Sequence, residues 1–170
     1  MAGDLTSNWA GLHRYRAARI HQPATIEEVQ RLVTGARRVR ALGSRHSFNA
    51  VADSEGGDLI WLGGIPPGID VDRDRTEVTV GAGATYAQLG AELERQGLAL
   101  HNLASLPQVT VAGAVATGTH GSGDGNGNLA TAVRGLELAR PDGTLARVAS
   151  DDPDWGAFPT ALGYLGLVTR

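Results

Sequence analysis

The stretch RALGSRHSFNA, Arg40 to Ala50, decides the fold. It leaves an apolar run (Val39, Ala41, Leu42) and breaks at once into glycine, serine, arginine and histidine. An aliphatic run ended by small polar residues reads as a strand that stops at a turn. Backbone N–H groups from Gly43 through Ser47 then form a concave nest able to hold pyrophosphate oxygens, with Arg45 as a further charged donor. The same residues also fit an ordinary β-turn carrying a surface histidine, and this motif alone leaves both readings open.

Upstream, ARIHQP reads as a short strand ending at Pro23, and the capping box Thr25 to Glu28 opens a helix over about Thr25 to Ala36. VRALGS is then the second strand and DLIWLGG the third. The segment GIDVDRDRTEVTVGAG reads as two alternating strands joined by the polar turn Asp72 to Arg75. A second capping box, Thr85 to Gln88, starts an amphipathic helix with Tyr86, Leu89 and Leu93 on one face and Gly97 after its end. Near the C-terminus, VRGLELARPDGTLARVAS reads as a hairpin turning at Pro141-Asp142-Gly143, and Asp152-Pro153 as the start of a last helix.

Two further glycine clusters invite a ligand. Gly81-x-Gly83 follows a strand and precedes a helix, but Tyr86 occupies the third fingerprint position and no acidic strand end follows, so it reads as a tight turn. Ala116-Thr117-Gly118-Thr119-His120-Gly121-Ser122-Gly123, fed by the apolar VTVAGAVATG, is different. Small residues and hydroxyls bury little apolar area, yet they let amides and hydroxyls line a narrow ligand channel. Two such loops, each leaving an apolar run and each bearing a histidine, suit one long ligand with phosphates at one loop and a ring system near a histidine.

The bulk properties narrow the classes. The chain has 170 residues, 24 glycines, no cysteine and a net charge of -3. That length suits one compact domain or two small lobes. Disulfides and Cys-ligated metal sites are excluded, and no metal site is expected. No basic stripe suits nucleic acid, no run suits a membrane span, and no secretory signal opens the chain, so a cytoplasmic setting is expected.

Three segments carry a family resemblance: VRALGSRHSFN, VTVGAGATYAQLGAELERQGLAL and NLASLPQVTVAGAVATGTHGSG. Through them the sequence resembles the FAD-binding (PCMH-type) domain of the vanillyl-alcohol-oxidase-type flavoenzymes, in the alditol oxidase branch; the lactone-oxidase branch is less similar in the third segment. The resemblance implies an α+β fold of two lobes, residues 1–75 as a small βαββ lobe and 76–170 as a larger mixed-sheet lobe. It implies FAD joined covalently to His46, with Ala41, Leu42, Gly43, Ser44, Arg45, His46 and Ser47 around its ADP-proximal part. Ser105, Thr110, Gly113, Thr117, Gly118, Thr119 and His120 would line the flavin, and Val168 the adenine side. Arg45 stands where the wider superfamily usually has glycine.

By the same resemblance Ser105 lies near the bound polyol, and His120 is the cation this chain offers near flavin N1. The implied reaction oxidises the CH–OH group of a sugar alcohol, passes hydride to the flavin and uses dioxygen as acceptor, giving an aldose and hydrogen peroxide. The apolar close LGYLGLVTR suggests a fragment that lacks a substrate-binding domain, so the isolated chain is expected to bind FAD weakly or not at all and to turn over nothing. An aldonolactone oxidase or dehydrogenase of the same fold, a non-catalytic flavin module and a ligand-free structural domain remain the alternatives.

Overall fold

The computed structural model describes residues 4–74 and 76–170, so Met1 to Gly3, within the expected first lobe, and Arg75 of the expected polar turn lie outside the described residues. Three parallel strands form the first sheet in the order β1-β3-β2, with β1 at Arg19–His21, β2 at Val39–Leu42 and β3 at Asp58–Trp61. Helix α1, Ile26–Gly35, is the crossover between β1 and β2. Its start follows the expected capping logic with one change: the Thr25 hydroxyl accepts from the Glu28 N–H, while the Glu28 carboxylate reaches back to the N–H of Ala24. Two orphan donors are thereby satisfied.

The central strand β3 is buried on both faces, with Leu59 and Ile60 fully inaccessible. Ile60 packs against Val29 and Val33 of α1, and Leu59 against Leu5, Tyr15 and Leu42. Each such aliphatic side chain stabilises the fold by roughly 1.5–3 kcal/mol. At the strand's start the buried Asp58 carboxylate accepts two bonds from Arg19 and one contact from His21 at 3.0 Å. Burial pushes its pKa up, and the Arg19 and His21 bonds more than offset this, holding it below the usual carboxylate value.

Beyond the first sheet, β4 (Asp70–Asp72) and β5 (Glu77–Thr79) form the expected hairpin. Helix α2, Tyr86–Arg95, has the complete capping box between Thr85 and Gln88. The apolar run after Thr110 folds as a six-residue helix, α3, Val111–Ala116, whose Ala114 and Val115 are buried. A second hairpin, β6 (Gly135–Ala139) with β7 (Leu145–Ala149), takes β8 (Leu167–Val168) on the other side of β6, giving the antiparallel order β7-β6-β8. The helix expected from Asp152-Pro153 is only a 3₁₀ turn, Trp155–Ala157. Gly156 and Pro159 limit its extension, and the Asp152 carboxylate turns back to the Ala149 N–H instead of capping forward.

One apolar cluster links these parts: Val29 and Val33 of α1, Ile60 and Leu62, Ala82, Ala139 of β6 and Leu167 of β8. The first and third sheets are therefore held against a common core, and the carboxyl ends of β2 and β3 face α3. Among the described residues no helix is long and apolar enough to cross a membrane.

Candidate functional site

A groove of about 350 Å³ opens where β2 and β3 end. Ligands of open α/β sheets characteristically sit at this end of parallel strands. Residues Ala41 through Ser47 form one wall; Thr110, Gly113, Thr117 and Thr119 line the other, with Val168 at its border. Segments far apart in the chain thus share one concave surface. The Thr110 N–H donates to the Ser44 hydroxyl across the groove at 3.2 Å, a direct bond between residues 66 apart in sequence.

The first wall is a strand end whose amides are free. Among the described residues, the N–H groups of Ser44, Arg45, His46 and Ser47 donate to no protein acceptor. A row of half-buried, unpartnered donors is uncommon in a folded chain and suits an anion. Arg45 holds the turn in the left-handed region, φ 65°, which disfavours any residue with a Cβ and explains why glycine is the easier residue there. Its guanidinium does not enter the groove as a phosphate donor. It runs the other way and donates to the carbonyls of Asp4 and Ser7.

The second wall brings a buried hydroxyl. Thr110 is 6 % exposed, and its Oγ1 has no hydrogen-bond partner. A Cβ placed on either Gly43 or Gly113 would lie 2.7 Å from this oxygen. Both glycines are therefore required by close approach, and the hydroxyl is buried against them in the groove's wall. His46 borders the same space, and burial followed by the nearby Arg45 charge holds its pKa below the ordinary histidine value, favouring neutral imidazole.

The glycine loop after α3 contributes alternately. Thr117 and Thr119 face the groove with their hydroxyls 3.2 Å apart, whereas Gly118 and His120 do not line it. His120 is exposed, and its Nδ1 lies 2.9 Å from the Gly121 carbonyl. Ser105 is also exposed and outside the groove. The two stretches carrying Ser105 and His120 nevertheless meet, because Gly121 packs closely on Asn102 and Leu103.

Several lining residues have no counterpart among those expected. Ala82 and Gly83, from the turn read as purely structural, line the groove, as do Leu162, Gly163 and Gly166. A sequence signal existed for the first pair in Gly81-x-Gly83, but it pointed to a dinucleotide fingerprint the chain does not complete. Arg40 joins the last segment to β2 by donating to the Leu162 carbonyl at 2.6 Å and lying 4.2 Å from the centre of the Tyr164 ring. A larger and more open cleft, about 1410 Å³, lies between the β4–β5 hairpin, α2 and the third sheet. Of the site residues expected from sequence only Val168 borders it.

The chain is 46% identical over 165 residues to the alditol oxidase of a Streptomyces species, covering 96% of this chain and 40% of that protein. It is 34% identical over 173 residues to mouse L-gulonolactone oxidase and 33% identical over 170 residues to the L-gulono-1,4-lactone dehydrogenase of Mycobacterium tuberculosis, covering 98% of this chain and 39% of the relative in both cases. The chain thus spans about two fifths of the length of these relatives. In fold it is similar to the crystal structure of cholesterol oxidase from B. sterolicum, with a TM-score of 0.75, 24% identity and coverage of 88% of this chain and 32% of that one. Residues 17–149, most of the chain, match the FAD binding domain family: the chain belongs to that family, with the PCMH-type fold.

Proposed function

We propose that this chain is the FAD-binding part of an oxidoreductase that acts on the CH–OH group of sugar alcohols, with residues 1–75 and 76–170 as the two lobes around the cofactor. The carrying observation is the convergence of four free amides, Ser44 to Ser47, with the unpartnered buried hydroxyl of Thr110. The residues fit the group. The amides suit diphosphate oxygens, the glycines at 43 and 113 leave room for close approach, and His46 brings a neutral imidazole to the same wall.

Bound FAD would supply two-electron chemistry: acceptance of the hydride from the carbinol carbon as the hydroxyl proton is lost to give the aldose, then return of both electrons, with two protons, to dioxygen as hydrogen peroxide. This chain's part is to bind and orient. Ser44 to Ser47 hold the diphosphate by backbone donors, and Thr117 and Thr119 present hydroxyls along the ring-bearing half. His46 is the covalent attachment point through a ring nitrogen. Ser105 and His120 belong to two stretches that meet beside the groove at Gly121, where a polyol would approach. Polyol-binding groups from the rest of the protein complete the site, and a cytoplasmic setting belongs to the same reading.

The higher identity to an alditol oxidase than to the lactone-active relatives supports the polyol over an aldonolactone. A non-catalytic flavin module is the remaining alternative.

The test is a titration of the purified chain with FAD followed by amide NMR, then acid precipitation. Shifts concentrated at residues 43–47 and 110 are expected, even for weak binding. Yellow colour that stays with the acid-precipitated polypeptide, and is absent from His46→Ala, is expected for covalent attachment. Shifts confined to the larger cleft would overturn the reading.

A further inference from the structure

The N-terminal segment docks on the turn that presents His46, and its contacts bracket that residue on both sides. The Trp9 N–H donates to the Arg45 carbonyl at 2.9 Å, and the Asn8 side-chain amide donates to the Ser47 carbonyl at 3.0 Å. The indole of Trp9 then stacks on the imidazole itself, with ring centres 5.0 Å apart and planes 19° from parallel. His46 borders the groove and Trp9 does not, so the indole backs the imidazole from the side away from the ligand space.

Among the described residues no hydrogen bond reaches His46, and the influences on its imidazole are burial and the Arg45 charge. The backbone fixes where the imidazole starts; rotation about its last side-chain torsion is broad and roughly two-fold. Trp9 is 63% exposed, an unusual placement for a tryptophan with no further role. Its position is secured instead by Asn8, which is 3% exposed and whose carbonyl oxygen accepts from the N–H groups of Leu12 and His13.

We propose that Trp9 is a positioning residue for His46: its indole is the shelf that selects the imidazole orientation presented to the groove. An offset aromatic pair favours the stacked over the unstacked arrangement by roughly two- to ten-fold, and that is the size of effect to expect. The value of this orientation for flavin attachment rests on the function proposed above; the shelf itself does not.

The experiment uses the full chain and the variants Trp9→Phe, Trp9→Leu and Trp9→Ala, with circular dichroism and urea midpoints to register folding. The His46 ring protons are followed by NMR, and its carbethoxylation by diethyl pyrocarbonate is mapped by mass spectrometry. In Trp9→Leu and Trp9→Ala the upfield ring-current shift should vanish, the titration midpoint should move up toward 6.5, the ordinary histidine value, and carbethoxylation should quicken several-fold. Trp9→Phe should restore most of each. Where FAD is attached in the parent, the acid-stable fraction should fall in the same order. Unchanged ring signals and reactivity in a folded Trp9→Leu protein overturn the shelf. Changed ring signals with no acid-stable flavin in the parent leave the shelf standing and remove the attachment reading, so the two failures are distinguishable.

Discussion

The two walls of the groove are held by different means. The turn at Gly43 to Ser47 is clamped from outside, by the Asp4–Trp9 segment, whose carbonyls receive the Arg45 guanidinium and whose N–H and amide donors reach the Arg45 and Ser47 carbonyls. The loop at Thr117 to His120 is held from within its own neighbourhood. The Thr117 hydroxyl bonds back to the Gly113 carbonyl, the Thr119 N–H to Ala114, and Leu129 donates to Thr119. Every residue of the first wall from 41 to 47 lines the groove, whereas the second alternates, facing in at 117 and 119 and out at 118 and 120. A clamped turn offers its backbone as a continuous row of donors. A loop leaving a helix end offers side chains, and only those on one side.

The largest test of this contrast falls where the walls meet the core. Gly83 lies against the Leu62 carbonyl and the Gly63 N–H, just after β3, and an added methyl would overlap backbone rather than a side chain that can yield. Gly83→Ala should cost about 2–3 kcal/mol, as overpacking against unyielding atoms does, read as a lowered urea midpoint. Gly90 on α2 is the control, because a Cβ there meets open space. Gly90→Ala should stabilise by about 0.5–1 kcal/mol, the helix-interior cost of glycine. Equal effects at the two positions would mean that the junction of the walls is not tightly packed.

A smaller effect is expected at the point of contact between the walls. Gly43→Ala places a methyl 2.7 Å from Thr110 Oγ1. That neighbour is a side-chain atom, so the fold survives, but the hydroxyl is pushed from its place, and FAD affinity should fall about ten-fold, near the cost of one hydrogen bond plus local strain. Thr110→Ala in the same chain removes the clash and should restore the urea midpoint. It should not restore FAD affinity, because the unpartnered hydroxyl of the groove's wall is gone. Full recovery of both would show that Thr110 only packs. Coupling between such neighbours is typically about 0.5–3 kcal/mol, large enough to resolve in a double-mutant cycle.

How much of this was readable beforehand follows the same division. The path from β2 into Gly43 to Ser47 is local: an aliphatic strand ends at a glycine and the turn follows it directly, so their common placement could be read from adjacent letters. The hairpins and the Thr85–Gln88 cap were readable for the same reason. The alternation at 117–120 was not. It depends on where α3 ends, and Val111–Ala116 carries too few long side chains to announce a helix; its ends are set by packing of Ala114 and Val115. The entry of Gly83 and of Leu162 to Gly166 into the groove, and of Trp9 behind His46, depends on contacts between distant segments. No periodicity reports those.

The smallest expected effect separates the inward from the outward residues of one loop. Thr119→Ala removes a hydroxyl that faces the groove and pairs with Thr117 at 3.2 Å, and FAD binding should weaken by roughly two- to ten-fold, the range for a single neutral hydrogen bond. His120→Ala, one residue on, removes an exposed ring whose Nδ1 contact is with its own neighbour's carbonyl. Its effect on FAD affinity should stay within about two-fold, as for surface substitutions generally. If His120→Ala instead weakened FAD as much as Thr119→Ala, the loop would have to turn its outward face to the cofactor when ligand arrives. The second wall would then be the moving one and the clamped turn the fixed one.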